Sequence, residues 1–280
     1  MRKLAHLSDL HFGRVDMAVV DALRHSLEAI APAVIAVSGD LTQRATADQF
    51  VAARRFLDSL PAPAVVVPGN HDIPLYNVFA RFFAPLSRYH RFVGAEAEPV
   101  FVDDEIAVVG VNTARSNVFK GGRINVEQVV RAGRIFQEAG HDRVRVLVTH
   151  HPFKLANMQR KDEVGRADMA LARLRECMPD VLLSGHMHAH EIGTTVQRNE
   201  HGGPSALVVH AGTATSTRGR GERNSFNLLY LERHAVRICR YDWKAEEAAF
   251  APAASRRYVR CGVEWVIGDI DSSVDVQTRN

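Results

Sequence analysis

Short apolar runs alternate with stretches of helical periodicity along the first two thirds of the chain. Apolar residues recur every three to four positions over residues 16–30, 46–60 and 125–138, which predicts three amphipathic helices. Thr46 and Asn125 each precede a glutamine by three residues, the spacing of a capping box at a helix start. Apolar runs of strand length lie at residues 2–8, 33–37, 64–68, 100–102, 106–111, 144–149 and 181–183. Alternation of strand and helix predicts a parallel sheet whose carboxyl-terminal loops gather at one edge.

The pattern changes at Gly193 to that of successive β-hairpins. Strands are predicted there at residues 194–197, 206–210, 226–231, 235–241 and 258–267, and a shorter helix at 167–178 precedes them. No low-complexity linker separates the two halves. We therefore expect a single domain over residues 1–267 with two packed mixed sheets and helices outside, followed by a polar tail at 268–280.

Composition narrows the class of protein. The 280 residues are 46% hydrophobic and 24% charged, as in ordinary globular proteins. Three scattered cysteines suit neither a disulfide framework nor a zinc cage, which favours a reducing, cytoplasmic compartment. No apolar run approaches the ~18 residues that span a bilayer, and no signal peptide is visible. The net charge of +3 comes without a basic stripe, so we expect no stable nucleic-acid complex.

Five of the predicted strands end in residues that bind metals. These residues are Asp9 with His11, Asp40, Asn70 with His71, His150, and His186 with His188. Carboxylate, imidazole and amide donors without thiolate suit Mn, Fe or Zn in a catalytic site. There are too many donors for one ion, so two ions at the ~3.5–4 Å separation of hydrolytic sites are expected. Asp40 is the candidate bridging carboxylate.

The order of these motifs resembles that of the calcineurin-like metallophosphoesterase superfamily. The matching motifs are D-x-H at Asp9 and His11, G-D at Gly39–Asp40, G-N-H-D at Gly69–Asp72, H at His150 and G-H-x-H at Gly185–His188. The resemblance implies an α/β fold, a four-layer αββα sandwich. It also implies one metal on Asp9, His11, Asp40 and His188, and a second on Asp40, Asn70, His150 and His186. His150 is preferred to His151 because the family pattern is ligand-x-Pro and Pro152 follows.

The same resemblance leaves His71 as the catalytic histidine. Attack by a metal-bridging hydroxide is expected, with His71 as the general acid that protonates the leaving alkoxide. Asp72 either orients His71 or fixes the turn, and Asn112 either meets a substrate phosphate or caps its loop. His210 is the best candidate for a residue that contacts a metal ligand without binding the metal itself. Residues 73–92 are predicted to lie over the site.

The motif flanks resemble most closely bacterial phosphodiesterases of the 3′,5′-cyclic nucleotide type, so a small phosphoester is the expected substrate. A UDP-2,3-diacylglucosamine-type pyrophosphatase is an alternative, although that branch has G-N-R-D where this chain has Gly69–Asp72. A nuclease, a phosphomonoesterase and a non-catalytic scaffold of the same fold are further alternatives. The oligomeric state is left open, with a homodimer among the choices.

Overall fold

Two β-sheets packed face to face form the centre of the protein in a computed structural model, which describes residues 1–118, 121–153, 163–195, 204–217 and 221–268. The strands are β1 (Arg2–Leu7), β2 (Val34–Ser38), β3 (Ala64–Val67), β4 (Val100–Val102), β5 (Ile106–Gly110), β6 (Val144–Val148), β7 (Val181–Ser184), β8 (Glu191–Thr194), β9 (Leu207–His210), β10 (Ser225–Glu232), β11 (Ala235–Lys244), β12 (Ala249–Cys261) and β13 (Glu264–Gly268). The helices are α1 (Met17–Ile30), α2 (Ala47–Asp58), α3 (Val78–Phe83), α4 (Ser87–Phe92), α5 (Val126–Ala139) and α6 (Ala167–Arg173).

Both sheets are mixed. The first has the order β13-β12-β11-β10-β1-β2-β3, and the second has the order β4-β5-β6-β7-β9-β8. Strands β1, β2 and β3 run parallel to one another, as do β5, β6, β7 and β9, and the remaining pairings are antiparallel. Parallel strands end at a common edge, so each sheet presents one row of carboxyl-terminal loops.

Three apolar layers hold the sheets and helices together. Leu23 of α1 and Phe50 of α2 pack on the outer face of the first sheet. Branched residues of both sheets, among them Val67 and Val146, fill the space between the sheets. Phe136 of α5 packs on the outer face of the second sheet. The predicted α/β arrangement, two mixed sheets with helices outside, is confirmed.

The first two helices and α5 begin where their capping residues predict. The Asp16 side chain accepts a hydrogen bond from the amide of Ala18 at 2.9 Å, and Thr46 accepts one from Gln49 at 3.4 Å. At α5 the Gln128 side chain accepts from the amide of Asn125 at 2.9 Å, which completes a capping box. Each of these helices lies within two residues of its predicted bounds.

The prediction of one strand over residues 258–267 is wrong. The chain instead turns between β12 and β13 at Gly262, whose φ of 61° is a conformation that glycine adopts without strain. Apolar residues on both sides of this turn, at Tyr258–Val259 and Trp265–Ile267, hid it. The predicted helix over 167–178 also ends early, at Arg173, and a 3₁₀ turn over Arg175–Cys177 follows it.

Two further predictions on chain organisation are changed by the structure. Strand β8 begins before the predicted 194–197 strand, and residues 196–197 lie outside the described residues. Gly268 completes β13, while the rest of the predicted tail, 269–280, also lies outside them. Within the described ranges, no helix has the length and apolar character needed to cross a membrane.

Residues 73–92 contain two short helices, α3 and α4, and α4 packs against the body of the protein. Helix α4 belongs to the outer layer of the first sheet, because its Tyr89 is buried and donates a hydrogen bond to the Val66 carbonyl at 2.8 Å. The prediction that the whole segment lies over the site is therefore wrong for α4. Packing of Tyr89 against α2 and β3 fixes α4 on the first sheet instead.

Candidate active site

The carboxyl ends of strands from both sheets converge on one centre. Asp9 and His11 follow β1, Asp40 follows β2, Asn70 follows β3, His150 follows β6, and His186 and His188 follow β7. The sequence suggested strand ends of one parallel-type sheet, whereas three of these strands belong to the first sheet and two to the second. Face-to-face packing brings the two rows of loops together and gives the centre donors from opposite sides.

One group of donors is formed by Asp9, His11 and His188, and we call it the Asp9 cluster. The Asp9 Oδ1 atom lies 3.6 Å from His11 Nε2 and 3.5 Å from His188 Nε2. The two imidazole rings stack nearly parallel, with centroids 5.3 Å apart. All three side chains are buried. One carboxylate oxygen and two ring nitrogens therefore point at a single position.

A second group is formed by Asn70, His150 and His186, and we call it the Asn70 cluster. The Asn70 Oδ1 atom lies 3.1 Å from His150 Nε2 and 3.1 Å from His186 Nδ1. The two imidazole rings meet edge to face, with centroids 5.1 Å apart. Asn70 and His186 are half-buried, whereas His150 is fully buried.

Asp40 lies between the two clusters. Its Oδ2 atom is 3.8 Å from His11 Nε2 in the Asp9 cluster, and its Oδ1 atom is 3.4 Å from His150 Nε2 in the Asn70 cluster. A carboxylate with one oxygen toward each cluster has the geometry of a bridging ligand. Asp40 therefore stands where the sequence placed the bridge.

Neighbouring groups hold the donors in position. The Ser8 hydroxyl donates to Asp9 Oδ2 at 2.6 Å, and the ring Nδ1 of His188 lies 2.8 Å from the Thr213 hydroxyl. His150 Nδ1 lies 2.8 Å from the Ser38 carbonyl, which can only accept, so that nitrogen carries the proton and leaves Nε2 as a donor atom for a metal.

The backbone at the centre is strained. Five of the seven predicted ligands have a left-handed φ: Asp9 53°, His11 51°, Asp40 54°, His186 69° and His188 59°. Such conformations cost about 1–3 kcal/mol each in non-glycine residues and cluster at functional sites. The loop after β3 also passes close to Asp40, because a Cβ on Gly69 would overlap the Asp40 carboxylate. These residues therefore adopt a strained backbone conformation in which their side chains point inward.

The charges at the centre suit cation binding. Burial opposes ionisation of Asp9 and Asp40, but contacts with His11, His150 and His188 outweigh it and hold the pKa of both carboxyls below the usual range. Burial, with the charge of His150, lowers the pKa of His186 to about 4. The carboxylates are therefore ionised and the His186 imidazole is neutral, the forms in which both bind metals.

Unsatisfied atoms at the centre show that a metal ion fits these residues. In the described parts of the chain, Asp9 Oδ1 and both ring nitrogens of His11 are buried without a hydrogen-bond partner. Buried polar atoms are normally paired, and such exceptions indicate an ion. Asp9, His11 and His188, and also Asp9, Asp40 and His150, bring their donor atoms within 4.8 Å of one another.

His71 lies beside the centre and outside these donor groups. Its ring Nδ1 is 2.9 Å from the Gln43 carbonyl, and its ring meets that of His11 edge to face at 4.9 Å. Its backbone amide donates to Asp40 Oδ1 at 2.8 Å. The imidazole is therefore next to the predicted bridging carboxylate without belonging to the donor groups of the described residues.

Asp72 is engaged by the backbone of the loop after β2. Its carboxylate accepts hydrogen bonds from the amides of Leu41 at 3.1 Å, Thr42 at 2.9 Å and Gly69 at 2.9 Å, and from the Thr42 hydroxyl at 2.9 Å. Burial, together with the charge of Asp40, raises the pKa of Asp72 to about 6 against these hydrogen bonds. These contacts favour the turn-fixing role among the two that the sequence left open.

The two remaining candidates take local roles. Asn112 Oδ1 accepts from the Ala114 amide at 2.9 Å, an Asx turn, which favours the capping alternative. His210 is fully buried, and burial lowers its pKa to about 4, so the ring is neutral. The Thr213 hydroxyl, 2.8 Å from Nδ1, is a contact that supports His188.

Three residues near the centre were missed from the sequence. Ser8 and Thr213 each contact a ligand, but a lone hydroxyl residue carries no distinctive spacing. His151 lies with its ring centroid 4.7 Å from that of His186, and its Nδ1 is 2.9 Å from the Thr113 hydroxyl. The His-His-Pro motif was its signal, and the sequence treated it only as the alternative to His150.

With this geometry established, comparison with known proteins defines the class. The family model for calcineurin-like phosphoesterases matches residues 2–190, and the chain belongs to that family. The predicted family is confirmed, and the Asp/His groups at the centre are ones that could hold metal ions.

The individual relatives have low sequence identity to this chain. The glycerophosphodiester phosphodiesterase GpdQ of Enterobacter lignolyticus is 26% identical over 223 residues, which covers 74% of this chain and 77% of that protein. A dimetal phosphatase from Danio rerio has a similar fold, with a TM-score of 0.64 at 12% identity, over 85% of this chain and 95% of that one. The purple acid phosphatase PPD1 from yellow lupin has a TM-score of 0.63 at 11% identity, over 91% of this chain and 53% of that one. At these identities the two structures support the fold alone.

Proposed function

We propose that the protein is a phosphodiesterase that hydrolyses a cyclic nucleotide or a similar small phosphodiester with two divalent metal ions. The observation that carries the proposal is Asp40, whose two carboxylate oxygens face two separate donor clusters. Membership of the calcineurin-like phosphoesterase family supports a hydrolase that acts on phosphoesters. The phosphodiesterase GpdQ among its relatives supports a diester in preference to a monoester.

In this proposal seven residues hold the two metals. The first metal takes Asp9, His11, Asp40 and His188, and the second takes Asp40, Asn70, His150 and His186. The bound metals supply a water nucleophile that ionises near neutral pH and positive charge that neutralises the phosphate oxygens. Mn, Fe and Zn suit this mixture of oxygen and nitrogen donors.

The protein itself supplies the proton for the leaving group. Since Nδ1 of His71 donates to the Gln43 carbonyl, Nε2 is the ring nitrogen assigned to protonate the departing alkoxide. The hydrogen bond from the His71 amide to Asp40 fixes the backbone of this residue relative to the centre. Asp72 keeps the Gly69–Asp72 turn in place through its bonds to the loop after β2.

A glycerophosphodiester is the second candidate substrate, because the curated relative is named for that activity. The two candidates share the chemistry of a small phosphodiester with an alkoxide leaving group. A lipid-pathway pyrophosphatase is disfavoured by His71, which occupies the arginine position of that branch.

A substrate panel at fixed Mn tests the proposal. The panel contains bis-p-nitrophenyl phosphate, 3′,5′-cyclic nucleotides, a glycerophosphodiester, UDP-diacylglucosamine, single-stranded DNA and simple phosphomonoesters. We expect hydrolysis of the small diesters and loss of that activity on adding EDTA. Inactivity with Mn, Fe, Zn and Co on every substrate would contradict the enzyme and favour a non-catalytic scaffold.

Replacement of His71 tests the assignment of the general acid. His71→Ala is expected to keep both metals and to lose about 100-fold or more in kcat, most for substrates with poor leaving groups. The control is His90→Ala, which removes an exposed histidine from α4. Metal content by mass spectrometry and the dependence of kcat on leaving-group pKa provide the measurements. Loss of metal from His71→Ala would show that this residue is a ligand.

We also propose a reducing, cytoplasmic compartment. The three cysteines, Cys177, Cys239 and Cys261, are all in the free form, which supports this proposal.

A further inference from the structure

Helix α3 packs with its polar side inward and its apolar side outward. Arg81 is only 2% exposed, whereas Phe79 and Phe83 are 74% and 75% exposed. At 100° per residue, the exposed Val78, Phe79, Phe82 and Phe83 fall within about 140° of one helical face, and Arg81 lies on the opposite side. An amphipathic helix normally buries its apolar face, so this orientation requires an explanation.

The structure shows what fixes this orientation. The Arg81 guanidinium donates to the carbonyls of Pro74 at 3.3 Å and Val118 at 2.9 Å, which anchors the polar side of α3 to the body of the protein. Phe79 and Phe83 contact each other, with ring centroids 4.6 Å apart. Four other exposed apolar residues lie on or just before the helix, and we call the six together the α3 patch: Leu75, Tyr76, Val78, Phe79, Phe82 and Phe83.

The area of the α3 patch is large for the surface of a monomer but small for a dimer interface. An aromatic side chain presents roughly 150–250 Å², so four rings exposed by half to three quarters present on the order of 500 Å². This is near the upper limit for exposed apolar patches on monomers, which are often functional. A stable dimer buries about 800 Å² on each partner, more than the rings of the patch provide.

The charge around the patch points to an anionic partner. The sequence has no Asp or Glu between residues 73 and 95 or between residues 113 and 124. The Arg44 guanidinium lies 5.2 Å from the centroid of the Tyr76 ring and so borders the patch. Two copies joined through this surface would bring like charges together. Exposed aromatic rings bordered by arginine are typical of proteins that bind anionic membrane surfaces.

We propose that the α3 patch docks the protein on the surface of an anionic phospholipid bilayer. The aromatic rings lie at the boundary between headgroups and acyl chains, and Arg44 faces the headgroup phosphates. Gln43, which precedes Arg44, accepts the hydrogen bond from His71, so docking brings the candidate active site close to the membrane surface. The inference goes beyond the proposed function, and membrane binding does not depend on hydrolysis.

Sedimentation with vesicles tests the proposal. The full chain is mixed with vesicles of phosphatidylcholine alone or with phosphatidylglycerol added. We expect binding to the anionic vesicles that weakens as salt rises, and about 10-fold or greater loss of affinity in the double variant Phe79→Ser/Phe83→Ser. The matched control is Val266→Ser/Ile267→Ser, which removes two exposed apolar residues from β13 and should bind as the parent does.

Solution activity separates this proposal from the proposed function. Hydrolysis of bis-p-nitrophenyl phosphate by Phe79→Ser/Phe83→Ser should equal that of the parent. If the parent binds anionic vesicles but hydrolyses nothing, the docking surface stands and the enzyme assignment fails.

Other outcomes would overturn the docking surface. Absence of binding, equal binding to both vesicle types, or equal binding by the double variant each contradicts it. Sedimentation equilibrium that shows a dimer in the parent and a monomer in the double variant would assign the patch to a second copy. Should the double variant fail to fold, the single variants Phe83→Ser and Arg44→Gln replace it, and both are expected to weaken vesicle binding.

Discussion

The Asp9 cluster and the Asn70 cluster have similar donors but different surroundings. The three residues of the Asp9 cluster are buried, and all three have a left-handed backbone. Ser8 and Thr213 hold two of them in place. In the Asn70 cluster, two of three residues are half-buried, and a neutral amide stands where the first cluster has a carboxylate.

This difference predicts unequal metal affinity. A buried carboxylate attracts a cation more strongly than an amide does, since the charge is screened less by water. Donors already held in place also lose less conformational freedom on binding. We therefore expect the metal at the Asp9 cluster to bind tightly and the metal at the Asn70 cluster to exchange with solution.

The largest effect is expected from Asp40, which lies between the two clusters and is the proposed ligand of both metals. Asp40→Asn keeps the shape of the side chain but removes its charge, so both metals should be lost and activity should fall about 1,000-fold or more. Metal content by mass spectrometry and kcat with bis-p-nitrophenyl phosphate provide the measurements. Retention of two tightly bound metals would contradict a shared Asp40.

Single ligands from each cluster test the inequality directly. His11→Ala should release the tight metal, with affinity weakened on the order of 100-fold or more. His186→Ala should retain one metal per chain after gel filtration and regain activity with excess Mn. Titration of the metal-free variants with Mn distinguishes them. Equal metal loss from the two variants would contradict the predicted difference in metal affinity between the two clusters.

A residue outside the ligand set should have a smaller effect. Thr213→Val removes the hydroxyl beside His188 Nδ1, and metal affinity should fall about 10-fold. The control is Thr195→Val, whose hydroxyl accepts a hydrogen bond from the Ala206 amide far from the centre. The control should lose stability while its Mn affinity stays unchanged. If both variants bind Mn equally well, Thr213 has no role in holding the ligand.

The smallest effect concerns backbone strain. His11 and His150 are both fully buried, but only His11 has a left-handed φ. In metal-free protein, His11→Gly should therefore be less destabilised than His150→Gly by about 1 kcal/mol or more, because glycine relieves strain only at His11. Urea unfolding in the presence of EDTA measures the difference. Equal unfolding free energies would show that the strain is not stored in the folded state.

Local sequence features predicted much of the fold. The first two helices and α5 were located within two residues because their apolar residues recur with helical periodicity, and Thr46 and Asn125 mark the starts of α2 and α5. The turn at Gly262 was missed because apolar residues stand on both sides of it, at Tyr258–Val259 and Trp265–Ile267. The positions of Tyr89 and Arg81 had no signal in the sequence. Their burial depends on the distant carbonyls of Val66 and Val118, which no local pattern reports.

The candidate ligands were predictable because each follows a strand that the apolar pattern marks. The division of these strands between two sheets was not predictable from their ends, since sheet order depends on long-range pairing. Thr213 was missed for a similar reason, because it reaches His188 only when β9 pairs with β7. The left-handed φ angles at Asp9 and His11 have only a weak sequence signal, since Asp and His adopt them more often than other non-glycine residues but still uncommonly.

The position of β1 sets the order of events during synthesis. This strand lies between β2 and β10, and Leu4 pairs with Leu229 as well as with Val34. Until β10 has been translated, β1 is an edge strand with one unpaired side, and its closing contact is very distant in sequence. A ribosome stalled before residue 225 would therefore carry every predicted metal ligand on a nascent chain whose sheet is incomplete. We therefore expect metal to load only after β10 has paired with β1.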